Sequence, residues 1–142
     1  VNLEQIGRTD DSEGPRVAEF NVTGYDFSDL AETLRTSAER EQVKVTKHAR
    51  NSDAYFFASD NAALAGFGVP AHTISTAYQF PDYHKPEDEW QKLDYTNMVK
   101  IVRAIARGVE TVANRTAPVK WNAENSKATR YFDAWKKLQT GG

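Results

Sequence analysis

Three histidines and a set of carboxylates are the only side chains of this sequence suited to binding a metal. The histidines are His48, His72 and His84, and the chain contains no cysteine. Disulfides, thiolate ligands and a cysteine nucleophile are therefore excluded. Any metal site that uses this chain must be built from imidazole nitrogens and carboxylate oxygens.

His84 is the histidine with the most suggestive surroundings, because Asp88 follows it four positions later in a loop rich in Pro, Asp and Tyr. A single histidine in a Tyr-His-Lys-Pro loop is nevertheless most often an ordinary surface residue. His72 follows Pro-Ala on a predicted strand, and we interpret it as a core or strand-end histidine. His48 lies beside basic residues and is interpreted as solvated.

Acidic residues near the amino terminus form a second group of candidates. Apolar and polar residues alternate over residues 1–6, which predicts a strand whose end presents the carboxylate of Glu4. In isolation, a glutamate at this position is more often an exposed strand residue than a metal ligand. The acids at positions 10, 11 and 13 lack the spacing of a calcium-binding loop, so we interpret them as a solvated turn.

The elements that must position these residues alternate along the chain. Periodicity predicts strands over residues 1–6, 17–22, 43–46 and 69–76. Helices are predicted from Ser28 to about residue 41, from Ser59 to about residue 66, and from Asp94 to Asn114. This order predicts an α/β fold, in which ligands bind at the carboxyl ends of strands.

Two helices carry an apolar face. In the long helix after Asp94 this face is predicted to contain Tyr95, Met98, Val99, Val102, Ile105, Val109 and Val112. The last helix is amphipathic, with Ala128, Tyr131, Phe132, Trp135 and Leu138 on one side. We assign residues 1–114 to one domain and residues 115–142 to a C-terminal extension.

Several short motifs occur together in an informative order. Ser59-Asp60-Asn61 opens a helix, Gly68-Val69-Pro70-Ala71 closes it, and His84 with Asp88 follows the next strand. The amino terminus adds Asn2-Leu3-Glu4-Gln5-Ile6-Gly7. As a set, these motifs resemble the C-terminal half of the co-catalytic zinc exopeptidases related to bacterial leucyl aminopeptidase and aminopeptidase Y. The resemblance covers residues 1–114.

The resemblance implies a fold, a cofactor and a set of site residues. The fold is part of a mixed β-sheet flanked by helices, as in the phosphorylase/hydrolase-type sandwich, incomplete on its N-terminal side. The cofactor implied is a pair of zinc ions. They would activate a bridging water, which hydrolyses the peptide bond that follows the N-terminal residue of the substrate. The resemblance assigns Glu4 and His84 as metal ligands, with Asp88 and Asp60 as residues that support the site. Tyr83 and Tyr78 flank the His84 loop and are candidates for the walls of a substrate pocket, although packing explains them nearly as well.

Other elements of that zinc site do not occur in the sequence. The His-x-Asp motif and the Glu-Glu pair are both absent, which removes the bridging aspartate, one histidine, one carboxylate and the general base. We therefore expect the isolated chain to be inactive. Because it opens on Val-Asn-Leu without an initiator Met, we also expect it to be a fragment.

Composition limits the partners. Lys and Arg number 18 against 20 Asp and Glu, and no basic stripe is present, which disfavours nucleic acid. No apolar run reaches the roughly 20 residues of a membrane span. A sheet without its N-terminal half predicts exposed strand edges, and hence either a homo-oligomer or association with the missing half. The resemblance favours a periplasmic or extracellular location.

Two alternatives to an aminopeptidase remain open. A glutaminyl cyclase or a carboxypeptidase on the same fold would retain the motifs found here. A relative without catalytic activity would serve instead as an ectodomain or binding module. The residues that would distinguish these functions are the His-x-Asp and Glu-Glu elements.

Overall fold

Residues 1–140 are described by a computed structural model of the chain, which contains short strands and five α-helices. The strands are β1 (Asn2–Leu3), β2 (Asp10–Asp11), β3 (Gly14–Pro15), β4 (Glu19–Val22), β5 (Lys44–Thr46) and β6 (Thr73–Ser75). The helices are α1 (Leu30–Ala38), α2 (Ser52–Phe56), α3 (Asn61–Gly66), α4 (Tyr95–Ala113) and α5 (Thr129–Gln139). Short 3₁₀ turns occupy Glu39–Glu41, Trp90–Lys92 and Ser126–Ala128.

Four of the strands form one sheet in the order β1-β6-β4-β5. The pairs β1–β6 and β4–β5 are parallel, whereas β4 and β6 are antiparallel. The sheet is therefore mixed and is flanked by helices, which confirms the predicted fold class. Strands β2 and β3 form a separate two-stranded hairpin.

An aliphatic core lies between the sheet and the pair of helices α1 and α4. Its fully buried members include Leu34, Ile74 and Ile101. Helix α4 begins where Asp94 accepts a hydrogen bond from the amide of Asn97 at 2.9 Å, so the predicted N-cap is confirmed. Together these contacts fix α4 across the face of the sheet.

The buried face of α4 differs from the predicted one. Val99 and Val102, predicted to lie on the apolar face, are 52% and 40% exposed, while Ala104 and Gly108 are buried. The physical reason is close packing: a Cβ atom at Gly108 would overlap the side chain of Leu34 in α1. Small residues let the two helices approach, so the bulkier valines remain outside.

A second core is aromatic and joins the C-terminal segment to the rest of the chain. Its buried members are Phe27, Phe56, Ala65, Trp121, Ala128 and Tyr131. Gly68 lies directly beneath α5, and its carbonyl accepts a hydrogen bond from the indole nitrogen of Trp121 at 2.8 Å. Residues 121–135 therefore pack against α2 and α3.

Element boundaries are tighter than the sequence indicated. The strands predicted over residues 1–6 and 69–76 shorten to β1 and β6, and α2 forms where no helix is predicted. Across residues 1–140, no helix combines the length and apolar character that crossing a membrane requires.

Candidate functional site

Glu4 lies immediately after β1, with its amide donating to the carbonyl of Ile74 at 3.1 Å. Its Oε1 atom accepts hydrogen bonds from the side-chain amide of Asn2 at 2.7 Å and from the hydroxyl of Ser59. Its Oε2 atom receives no hydrogen bond from any residue in the described range 1–140. The carboxylate is thus held in one orientation with a free oxygen, an arrangement suited to binding a metal.

The Ser-Asp-Asn element connects Glu4 to the sheet. Ser59 binds Glu4 directly, and the buried Asn61 accepts a hydrogen bond from the hydroxyl of Thr73 at 2.8 Å. Asp60 is exposed and precedes α3, but its side chain makes no capping hydrogen bond. The serine and asparagine therefore tie the start of α3 to the strand ends, while Asp60 faces solvent.

His84 lies in the long loop between β6 and α4. It is exposed, and its ring stacks on that of Tyr83 with centroids 3.9 Å apart. Its φ angle of 59° lies in the left-handed region, which costs energy for a residue with a side chain. No residue of the described chain forms a hydrogen bond with either ring nitrogen, so both are available to a ligand.

Arg8 anchors the loop that carries this histidine. It is 5% exposed and binds both oxygens of Asp10, at 2.9 and 2.6 Å. It also binds Asp88 at 2.7 Å and Asp82 at 3.2 Å, and stacks over Phe80. The hydrogen bond from Arg8 lowers the pKa of Asp10. Asp88 therefore supports the loop through Arg8, with no hydrogen bond to the histidine within the described residues.

The buried carboxylate of Asp11 holds the start of the loop that carries His84. Asp11 accepts hydrogen bonds from the amide of Tyr78 at 2.7 Å and of Glu13 at 2.9 Å, and its Oδ1 lies 3.0 Å from Nε2 of His48. Burial alone would raise the pKa of Asp11, but these hydrogen bonds outweigh it and lower the pKa. Both Asp11 and His48 are buried, so their interpretation as solvated residues is wrong. No local pattern could have shown this, because their partners are distant in sequence.

The two tyrosines of the predicted substrate pocket differ in exposure. Tyr83 is half-buried and packs on Phe80. Tyr78 is 2% exposed, and its hydroxyl has no hydrogen-bond partner in the described chain. Burial raises the pKa of Tyr78, and the nearby charges of Asp11 and Glu4 act in the same direction. An interior ring cannot line an accessible pocket, so the prediction for Tyr78 is not supported by its position.

His72 is buried beside the aromatic core, as a core or strand-end histidine should be. Its Nδ1 donates to the carbonyl of Thr23 at 2.7 Å, and its Nε2 lies 2.7 Å from the hydroxyl of Ser28. Burial lowers the pKa of His72 to about 4. The ring is therefore neutral near pH 7 and fully engaged, which leaves no nitrogen for a metal.

The donor atoms of Glu4 and His84 suit zinc, but their number does not. Within residues 1–140, no group of three or more His, Asp or Glu side chains lies close enough to hold a metal ion. Within the described residues, no hydrogen bond or ion pair joins Glu4 to His84. The described chain thus supplies candidate ligands without a complete metal site.

Comparison with known proteins assigns the family. The sequence model of peptidase family M28 matches residues 1–109, a span that includes β1 with Glu4, the Ser-Asp-Asn element and the His84 loop. No curated protein and no solved structure matches the chain.

The mixed sheet and the matched span define a hydrolase of metallopeptidase type. The chain belongs to peptidase family M28, whose members are typically zinc-dependent.

Proposed function

We propose that this chain supplies two ligands, Glu4 and His84, to a two-zinc site that removes N-terminal residues from peptides. The observation that carries the proposal is the carboxylate of Glu4, fixed by Asn2 and Ser59 with Oε2 left free. His84 adds an exposed imidazole with both nitrogens free, on a loop anchored by Arg8.

The two ligands serve different ions in this proposal. Zinc, when bound, would lower the pKa of a bridging water and polarise the scissile carbonyl. Ser59 and Asn2 would hold the carboxylate of Glu4 in place, and Arg8 with Asp88 would hold the loop. Tyr83, stacked on the histidine, would restrict the ring to one orientation.

Further ligands must come from polypeptide other than these 142 residues, so we propose that the chain alone is inactive. The edge of β1 is a suitable place for that polypeptide to pack. The amides of Asn2 and Glu4 donate to the carbonyls of His72 and Ile74, so strand alternation turns the backbone groups of Leu3 toward the open side. Val99 and Val102 of α4 add exposed apolar surface.

Zinc content and activity test this proposal together. The 142-residue chain, dialysed against zinc, should retain no stoichiometric metal and release no N-terminal residue from peptides. The parent protein should bind about two zinc ions per chain, as a co-catalytic site requires. In the parent, Glu4→Ala and His84→Ala should each lower zinc content and abolish activity. Glu87→Ala, an exposed carboxylate of the same loop, is the matched control.

Each alternative has its own outcome. Retention of both zinc ions and full activity by His84→Ala would refute the ligand assignment. A zinc-loaded parent that cyclises N-terminal glutamine, or cleaves only C-terminal residues, would replace the aminopeptidase with one of the related activities. A parent with neither zinc nor turnover would be a binding module. If the 142-residue chain forms a stable dimer by light scattering, the open edge of β1 is covered by a second copy instead.

A further inference from the structure

A basic groove of about 770 Å³ lies where the C-terminal segment meets α2. Its cationic side chains are Lys47 and Arg50 from the loop before α2, and Lys127 and Arg130 from around the start of α5. Asp53 is the carboxylate among the lining residues. Two distant parts of the chain thus place four positive charges around one groove, although the whole chain carries a net charge of -2.

Internal ion pairs only partly neutralise these cations. Lys127 binds Asp53 at 2.6 Å, a pair in which the lysine is 61% exposed and therefore readily exchanged. Arg50 is 82% exposed and stands 3.8 Å from Glu13. Arg130 has no carboxylate within ion-pair distance in residues 1–140. Lys47 is paired with Asp26, so the excess of positive charge comes from Arg130 and from Arg50, whose neighbour Glu13 also binds Arg16.

Part of the lining of the groove is apolar. Phe57 is 47% exposed, and the guanidinium of Arg130 lies 5.0 Å from the centre of its ring. Ala49 and Ala54 also line the groove. A ligand for this surface should combine negative charges with apolar side chains.

These features favour an acidic peptide over a nucleic acid. Asp53 lies among the lining cations, and Asp26 pairs with Lys47 at 2.5 Å. Carboxylates so close to the cations would repel a dense row of phosphates, whereas spaced Asp or Glu side chains fit between them. We propose that this groove binds an acidic peptide segment with apolar residues between its charges.

This inference is independent of the zinc site. The groove contains neither Glu4 nor His84, and Lys127 and Arg130 lie outside the span matched by the family. The C-terminal segment thereby gains a role: it completes a binding surface that residues 1–109 alone do not form.

Fluorescence anisotropy with a labelled peptide of alternating Glu and Leu tests the proposal on the full chain. Arg50→Gln should weaken binding about threefold, and Arg50→Gln combined with Arg130→Gln about tenfold, as expected for exposed ion pairs. Arg103→Gln on α4, which removes the same charge elsewhere, should leave affinity unchanged. Affinity should fall with added salt.

Three results would overturn the proposal. One is equal binding by Arg50→Gln and the original chain, and another is equal binding of a Lys-Leu peptide. Tighter binding of a single-stranded oligonucleotide than of the acidic peptide would assign the groove to nucleic acid instead. Because Arg130 also packs on Phe57, a thermal melt should accompany each variant. If the double variant fails to fold, Arg50→Gln alone still tests the proposal, because Arg50 is exposed to solvent and its substitution should not affect folding.

Discussion

The aliphatic and aromatic cores of this chain are stabilised in different ways. Between the sheet, α1 and α4, the buried side chains are hydrocarbons such as Leu34 and Ile101, and volume is their main contribution. Around Phe56 and Trp121, rings meet at defined angles and polar atoms are paired, as in the indole hydrogen bond to Gly68. The first core depends on filling space, and the second on specific geometry.

The two cores also relate differently to the proposed functions. The aliphatic core positions β6 and α4, between which the His84 loop runs. The aromatic core holds the C-terminal segment that carries Lys127 and Arg130. Damage to the aliphatic core should therefore affect the whole chain, whereas damage to the aromatic core should be concentrated in the C-terminal segment.

The largest expected effect is on the aliphatic core. Leu34 is fully buried where α1 meets α4, so Leu34→Ala should lower the free energy of unfolding by about 4 kcal/mol, from lost burial and the cavity left behind. Urea unfolding followed by circular dichroism measures this. Val99→Ala, on the exposed side of α4, should cost less than about 0.5 kcal/mol. Similar losses in both variants would mean that α4 packs through its valines after all.

Gly68→Ala should break the aromatic core selectively. Gly68 has a φ of 88°, and an added Cβ would lie 2.5 Å from Cα of Trp135 and 2.6 Å from the carbonyl carbon of Ala134. Strain and overlap with the backbone of α5 together should cost about 3 kcal/mol.

Gly66→Ala is the matched control, because nothing lies within 4 Å of its added methyl group. Hydrogen exchange should show faster exchange in α5 for Gly68→Ala alone, with α1 and α4 still protected. Uniform loss of protection across both cores would show that they unfold as one unit.

Sequence patterns predicted the presence of helices and strands better than they predicted which residues are buried. The cap at Asp94 and the existence of α4 follow from local rules, and both are present. Which face of α4 is buried depends on how closely α1 approaches, and Gly108 decides this without any signal in hydrophobicity. The burial of His48 depends on Asp11, 37 residues away in sequence. Local periodicity carries no information about such pairings.

The candidate site shows the same limit, because contiguous motifs could be recognised in the sequence and long-range contacts could not. Glu4 could be singled out because its motif is contiguous, yet its hydrogen bond from Ser59 joins residues 55 positions apart. Arg8 received no role from the sequence, although it holds both Asp82 and Asp88. Supporting residues come from distant parts of the chain, so they become visible only once the fold is known.

Stability measured as a function of pH should distinguish the aromatic core, beside which His72 is buried, from the aliphatic core. The pKa of His72 falls from 6.5 to about 4 on folding because the ring is buried, so protons bind preferentially to the unfolded state. The stabilisation is present above pH 6.5 and is lost as the pH falls toward 4. We expect a loss of about 2 kcal/mol between about pH 7.5 and about pH 5.

The His72→Gln variant tests the origin of that slope. It should be less stable near neutral pH because the hydrogen bonds to Thr23 and Ser28 are disturbed, but its stability should change little across the same interval. Urea unfolding at several pH values gives the comparison. An unchanged slope in the variant would assign the pH dependence to other groups.

The smallest expected effect is a difference of about 1 kcal/mol between two substitutions, and it tests a single hydrogen bond in the aromatic core. Trp121→Phe removes the donor to the carbonyl of Gly68, a buried acceptor, and should cost about 2 kcal/mol. Trp135→Phe is the comparison, because the indole nitrogen of this half-buried residue forms no hydrogen bond within residues 1–140, and it should cost about 1 kcal/mol or less. Thermal unfolding of the two variants measures the difference. If both lose the same stability, the aromatic core depends on ring volume as the aliphatic core does, and the contrast between them reduces to the shape of their side chains.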